Sequence, residues 1–531
     1  MRAFLFLLLL PTLGLAQDPT DPTYNEYRSW WDLTFYDLEV EVDFENQSLS
    51  GKNTIYFQPV GSSFKNFLQI DLQAPMKIKQ VLCGDKEIEF SSAGSVHLIA
   101  TKNVDLEKGI TVLFSGKPKK ANYAPWESGL VWTKDGAGNP WVASACQEDG
   151  ASIWWPCKDH PKDEPDSMRM TFVCPSNLTA VGNGRLQKVE NRGDSKKAFT
   201  WVVKNPINAY GVNLSIGNYT YFKETIKGLS GDLDATYYVL PENIEKAKKQ
   251  FLDAPRTIEA LEYWFGPYPF YEDGYKLVEV PYLGMEHQSC VTYGNKYKNG
   301  YLGNDLSGSG WGLKFDFIII HESGHEWFAN SITHSNTADL WIHEGFTSYS
   351  EALFLEYFFG EEAASEYIIG TRKKIMNDKP IIGDYTLGVS GSSDMYFKGA
   401  NMLHTLRQML ADSAQWRKIL LDLNKRFYKS TVSSAQIENF LALETGLDLE
   451  AFFNQYLRDT RIPLLEYQIK DKRVVLQFKN VEKSFHMPLR LKINGEWINK
   501  DVGSRKARIK LSSKITELEE NPNYYIRYRR L

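Results

Sequence analysis

The amino-acid sequence predicts a multidomain α+β protein. It should hold an N-terminal β-saddle or β-sandwich domain, a mainly helical central domain and a small C-terminal β-sandwich domain. Three observations carry this. The chain has 531 residues, 43% of them hydrophobic and 14% aromatic, enough for about three domains at roughly 150 residues each. Apolar residues recur with a period of two to about residue 225, at helical spacing between about 241 and 457, and with a period of two again from Ile462. Gly, Asn and Pro punctuate the two β-like regions. The expected division is 1–16, 17–228 (all-β), 229–460 (helical, carrying the chemistry) and 461–531 (β).

The N-terminus, MRAFLFLLLLPTLGLAQ, has one arginine, an apolar stretch from Ala3 to Leu10, Pro11, and small residues at Gly14 and Ala16. This is the pattern of a secretory signal peptide cut after Ala16, so the protein is expected to be exported, periplasmic or secreted. The apolar run is far short of the ~20 residues of a spanning helix, so no stable membrane insertion is expected. Next, YDLEVEVDF sets Leu38, Val40, Val42 and Phe44 on one face and Glu39, Glu41 and Asp43 on the other, which is a half-buried strand. VHLIA, ITVLF, MRMTFVCP and KAFTWVV read as further strands. The texture changes at PENIEKAKKQFLDAPRTIEALEYWFGPYPF, an amphipathic helical stretch ended by Gly266-Pro267. FDFIIIHESGHEWFANSI, GFTSYSEALFLEYFFG, AASEYIIGTRKKIM, GANMLHTLRQML and AQIENFLALETG continue in that style. A glycine-rich connector, GNKYKNGYLGNDLSGSGWG, precedes the first of these. In the last region EYQIKDKRVVLQF reads as a hairpin, and LRLKINGEWI carries an Asn494-Gly495 turn, the strongest short hairpin signal.

A net charge of −5 without a long basic run argues against nucleic acid as a partner. The five cysteines, Cys83, Cys146, Cys157, Cys174 and Cys290, form no C-x-x-C pair and so do not read as metal ligands.

The informative stretch is HESGHEWF, residues 321–328. On a helix His321 and His325 share a face and can aim two imidazole nitrogens at one zinc ion. Glu322 lies about 100° round the helix, placed to act on a water rather than to ligate. A catalytic zinc takes a third protein ligand, and Glu344, with 18 residues between it and His325, begins a second helical segment that could return it. That segment has an apolar face of Phe346, Tyr349, Leu353, Phe354 and Tyr357. With nine histidines in the chain, chance would produce H-E-x-x-H only roughly 0.01 times, so a fortuitous pair of packed histidines is the weaker reading.

H-E-x-x-H, 18 residues, then E, set in HESGHEWFANSITHSNTADLWIHEGFTSY, resembles the zinc aminopeptidases of the aminopeptidase N and leukotriene hydrolase type, gluzincins with a thermolysin-like catalytic domain. The resemblance implies one zinc per chain held by His321, His325 and Glu344. It makes Glu322 the general base and Glu351, seven residues after Glu344, a carboxylate that orients a ligand histidine. VPYLGMEHQSCVTYG is similar to the family's G-x-M-E-N strand, which implies substrate contacts at Met285 and Glu286, the latter binding the free α-amine. It departs at Leu283 and His287, as WIHEGFT departs at His343. SDMYFKGANML matches Y-x-K-G-A and makes Tyr396 the oxyanion donor. SACQEDGASIWWPCKDHP is similar to the T-Q-C-E-A segment and assigns Gln147, or Glu148, to the amine pocket. The implied activity is hydrolysis of the N-terminal peptide bond of peptides with a free N-terminus. Epoxide hydrolysis on the same site and a non-enzymatic zinc-binding scaffold are the alternatives. Many family members end in a helical superhelix, and the resemblance implies a short form without it.

Overall fold

A computed structural model describes residues 23–61 and 64–531. The expected signal peptide, 1–16, lies outside the described residues. In the strand Trp31–Asp43 the alternation of the sequence becomes alternation of burial, with Leu38, Val40 and Val42 in the core. Around it runs an eight-stranded sheet in the order Arg185–Asn191, Lys196–Val203, Ser167–Pro175, Trp31–Asp43, Ser48–Pro59, Ile110–Gly116, Lys77–Cys83 and Lys86–Glu87. Trp31–Asp43 pairs parallel with Ser167–Pro175 and antiparallel with Ser48–Pro59. A four-stranded sheet contains the hairpin Gly129–Lys134 and Pro140–Ala145, whose second strand delivers the chain to Gln147.

The central region opens with a mixed five-stranded sheet, ordered Thr220–Gly228, Gly231–Val239, Tyr275–Glu279, Val291–Tyr293 and Gly284–Met285. The expected boundary between 228 and 229 therefore falls inside its first hairpin. Gly228 pairs with Gly231 across Leu229 and Ser230, too tight a connection to separate two domains, and the sheet already begins at Thr220. Its helices are α1 (Ile244–Gln250), α2 (Asp253–Phe265), α3 (Phe317–Gly324), α4 (Trp341–Phe359), α5 (Glu361–Thr371), α6 (Phe397–Leu410), α7 (Ser413–Arg426), α8 (Ser434–Thr445) and α9 (Glu450–Leu457). Local chemistry sets several ends. The Asp412 carboxylate caps α7, Ser433 and Gln436 form a reciprocal capping box on α8, and Gly360 at φ 93° stops α4. Phe346, Tyr349, Leu353 and Phe354 of α4 are buried as the spacing predicts, whereas Tyr357 sits on the rim, its hydroxyl donating to Glu259 Oε1 at 2.9 Å.

The last region is built on two hairpins, Leu464–Lys470 with Arg473–Lys479 and His486–Ile493 with Glu496–Gly503. The second turns on Asn494 (φ 50°) and Gly495 (φ 82°), two positive φ angles in succession, which is what an Asn-Gly hairpin turn requires. One hydrophobic core runs without a break from the central helices into this β region. A second fills the N-terminal β region and draws in Val278, Val280, Met285 and Cys290 from the central sheet. The strand Gly284–Met285 thus lies on the seam between the two cores. All five cysteines are buried and unpaired, and among the described residues no helix is long and apolar enough to cross a membrane.

Candidate metal centre and substrate cleft

The centre is built on α3. Asp316 caps it by accepting from the backbone N–H of Ile318 and Ile319, and burial pushes the Asp316 carboxyl up to about 7. The helix is shorter than the run FDFIIIHESGHEWFANSI suggested. It closes at Gly324, and Asn330, Ser331 and Ile332 each donate to a carbonyl five residues back. His325 is the C-cap residue, still in right-handed helical geometry (φ −64°, ψ −17°), so the i, i+4 relation to His321 survives the end of the helix. Gly324 faces α4, where a Cβ would lie 2.7 Å from Ser350 Oγ. Glycine here eases the close approach of α4, whose first turn brings Glu344 over the histidines.

His321 Nε2 and His325 Nε2 lie 3.5 and 3.4 Å from Glu344 Oε2, and the three candidate ligand atoms all fall within 4.8 Å of one another. The other ring nitrogens are occupied. His321 Nδ1 is 2.8 Å from Glu351 Oε1, and His325 Nδ1 is 2.9 Å from the Phe328 carbonyl and 3.1 Å from Thr347 Oγ1. Such partners fix which nitrogen is free to ligate. Tyr367 in turn donates to Glu351 Oε2 at 2.5 Å. Glu344 Oε2 is buried and has no hydrogen-bond partner, an expensive state for a carboxylate oxygen. Two imidazole nitrogens and a carboxylate oxygen facing one point are a donor set that fits zinc. Burial alone would raise the Glu344 carboxyl, yet the two imidazoles hold it far below the usual range.

These groups line a cleft of about 500 Å³. Glu322 is on its wall, and burial, partly offset by the histidines, raises its carboxyl to about 7. Glu286 is buried and raised by the same cause. Gln147 joins the two halves of the site, its Nε2 donating to Glu286 Oε1 and to Glu344 Oε1, both at 2.8 Å. Glu148 also lines the cleft, but its Oε1 accepts from Ser390 Oγ at 3.3 Å. Of the two amine-pocket candidates, Gln147 is therefore the one placed beside Glu286. The Tyr396 ring stacks on His321 with centroids 6.0 Å apart. Burial and the Glu344, Glu286 and Glu322 carboxylates keep its phenol protonated, and so a donor.

Met285 is a correction. Alternation along its short strand turns the side chain away from the cleft into the N-terminal core, where it is 2% exposed. Gly284 and Leu283 line the cleft instead. A Cβ on Gly284 would stand 2.6 Å from Ile318 Cγ2, so glycine is what lets this strand run against α3. Of the three departures from the family pattern, Leu283 lines the cleft and the two histidines are packing residues. Burial drives the His287 ring down to about 3, so it is neutral, with Thr292 Oγ1 3.3 Å from Nδ1. His343 stacks on His334 at 4.2 Å and accepts the His334 backbone N–H at 2.8 Å. Sequence reasoning missed Thr347 and Tyr367. Thr347 had a signal, one helical turn after Glu344. Tyr367 had none, because it reaches Glu351 from the next helix.

A metal centre of two helix-end histidines and a glutamate from the following helix, set between a β-rich region and a helical one, defines a gluzincin-type zinc site. The sequence profile of the Peptidase family M1 domain matches residues 252–456, and that of the Peptidase M1 N-terminal domain matches residues 33–210. The chain belongs to peptidase family M1. It is 22% identical over 513 residues to probable aminopeptidase 2 of Sulfurisphaera tokodaii, covering 92% of this chain and 62% of that one. It is 23% identical over 455 residues to leukotriene A-4 hydrolase of Xenopus laevis, covering 79% and 70%. The chain thus spans about 62% of the length of the archaeal relative. Among solved structures, an M1 zinc metallopeptidase from Deinococcus radiodurans superposes with a TM-score of 0.66 at 19% identity, over 82% of this chain and 94% of that one.

Proposed function

We propose that the chain is a zinc aminopeptidase that removes the N-terminal residue of peptides. The observation that carries this is the Gln147 amide, bonded at once to the candidate amine anchor Glu286 and to the candidate zinc ligand Glu344. An ammonium held at Glu286 and Gln147 would stand one residue's reach from the metal, which supports presentation of the first peptide bond alone. A mutant of the Deinococcus radiodurans M1 zinc metallopeptidase is bound to a Tyr-Ser-Ala substrate, which supports a peptide substrate here.

Zinc held by His321, His325 and Glu344 would supply Lewis acidity toward the scissile carbonyl and lower the pKa of a water. The protein's own groups do the rest. Glu286 and Gln147 bind the substrate ammonium and fix the register. Glu322, raised to about 7, accepts a proton from the attacking water near neutral pH and returns it to the leaving amine. The Tyr396 hydroxyl donates to the carbonyl oxygen as it gains charge. Glu351 and Thr347 hold the two imidazoles in their ligating tautomers.

The test is turnover of alanyl- and leucyl-anilides by the full chain, with and without chelator, beside their N-acetyl forms. Zinc-dependent release from the free amines and none from the acetylated ones is expected. Equal cleavage of both would remove the exopeptidase reading, and epoxide turnover without any anilide turnover would favour the alternative chemistry. Residues 1–16 are proposed as an export signal, tested by the N-terminal sequence of the protein recovered from its native host.

A further inference from the structure

The charges of the cleft are uneven. Among the described residues, its lining includes the carboxylates Glu148, Glu286, Glu322 and Glu344 and one lysine or arginine, Lys374. Lys374 is exposed, and among the described residues it has no ion-pair partner and no side-chain hydrogen bond. Its place is nonetheless fixed. It ends the short turn Arg372–Lys374 that follows α5. Arg372 Nε donates to Asn401 Oδ1 at 2.7 Å and its Nη1 to the Pro522 carbonyl at 2.6 Å. Just beyond, the backbone N–H groups of Met376 and Asn377 donate to the Asp394 carboxylate at 2.8 and 2.6 Å. Asp394 lies two residues before Tyr396. The backbone that carries Lys374 is therefore strapped to the segment that carries Tyr396, on different elements from those that carry Glu286 and Gln147.

A peptide anchored by its ammonium at Glu286 and Gln147 has to pass the histidines and Tyr396 to leave the site. Extended chain advances about 3.3–3.6 Å per residue, and a cleft of about 500 Å³ is of the size that encloses a small molecule rather than a long groove. Among the described residues, Lys374 is its one free lysine or arginine, and an ammonium on a flexible four-carbon stem suits a compact anion. We propose that Lys374 receives the C-terminal carboxylate of the substrate, so that di- and tripeptides with a free C-terminus are the preferred substrate class. Anionic binding groups then stand at the amine end and a cationic one at the carboxylate end, which matches a zwitterion and disfavours an amidated or longer chain. This rests on the aminopeptidase reading above.

The experiment compares kcat/KM on Ala-Ala-Ala and on its C-terminal amide, within each of three full-length, zinc-loaded proteins: wild type, Lys374→Met and Lys374→Arg. The acid-to-amide ratio is read inside one protein, so a general change in activity cancels. A charge-assisted contact predicts a wild-type ratio on the order of tenfold, a ratio near one in Lys374→Met, and most of the preference kept in Lys374→Arg. Calorimetric binding of Ala-Ala-Ala in a Glu322→Gln background should show the same ordering with no turnover involved. Equal rates on acid and amide in wild type, or an undiminished preference in Lys374→Met, overturns the proposal while leaving anilide cleavage to support the aminopeptidase reading. Absence of anilide cleavage overturns both.

Discussion

The two halves of the cleft are assembled in opposite ways. The metal half is local. His321, Glu322 and His325 come from five consecutive residues, and Glu344 and Glu351 from one helix packed against them. The substrate half is gathered from far apart. Gln147 follows a strand of the N-terminal β region, Glu286 follows a strand on the seam between two cores, and Tyr396 is the N-cap residue just before α6. The metal half is thus specified by helical spacing and one glycine contact. The substrate half is specified only once two domains have docked. Perturbing the first should change proton transfer or zinc affinity, and perturbing the second should change substrate capture or carbonyl activation with zinc still in place.

The largest effect expected is at Glu322. Glu322→Gln should lower kcat by about 10²–10⁴-fold while the protein retains one zinc by atomic absorption. Near-wild-type turnover would break the assignment of the base. Tyr396→Phe comes next, with a fall of roughly 10²-fold or more in kcat and little change in KM. A change confined to KM would make Tyr396 a substrate-binding group and not the oxyanion donor. For Glu351→Gln the expected loss is in zinc affinity, about 10–100-fold in competition with a chelator, because His321 Nδ1 would keep a partner but lose a charged one. Gln147→Ala is the smallest. It should raise KM for free-amine substrates on the order of tenfold and leave zinc content unchanged, and a loss of zinc there would show that the two halves are not separable.

The same division explains what the sequence could show. The strand of Trp31–Asp43, the Asn494-Gly495 hairpin and the helices of the central region follow from periodicity and turn chemistry that act within a few residues. His321, His325 and Glu344 were legible for the same reason. Glu351 was legible only through the family's spacing, and its partner Tyr367 was not legible at all, because the contact is made between helices. Met285 was misplaced because a motif records which residues recur, whereas the side to which a strand turns each of them depends on the seam it packs in. The short α3 was over-extended because His325 keeps helical angles one residue beyond the last regular turn. The choice between Gln147 and Glu148 needed the geometry of the assembled cleft, in which only one of them reaches Glu286.

The account stands most directly on where a metal sits. Crystals of the zinc-loaded protein, recorded on both sides of the zinc absorption edge, should show one anomalous peak per chain about 2.0–2.2 Å from His321 Nε2, His325 Nε2 and a Glu344 carboxylate oxygen. A fully loaded crystal with no peak between those three side chains, or with its peak on other residues, would contradict it.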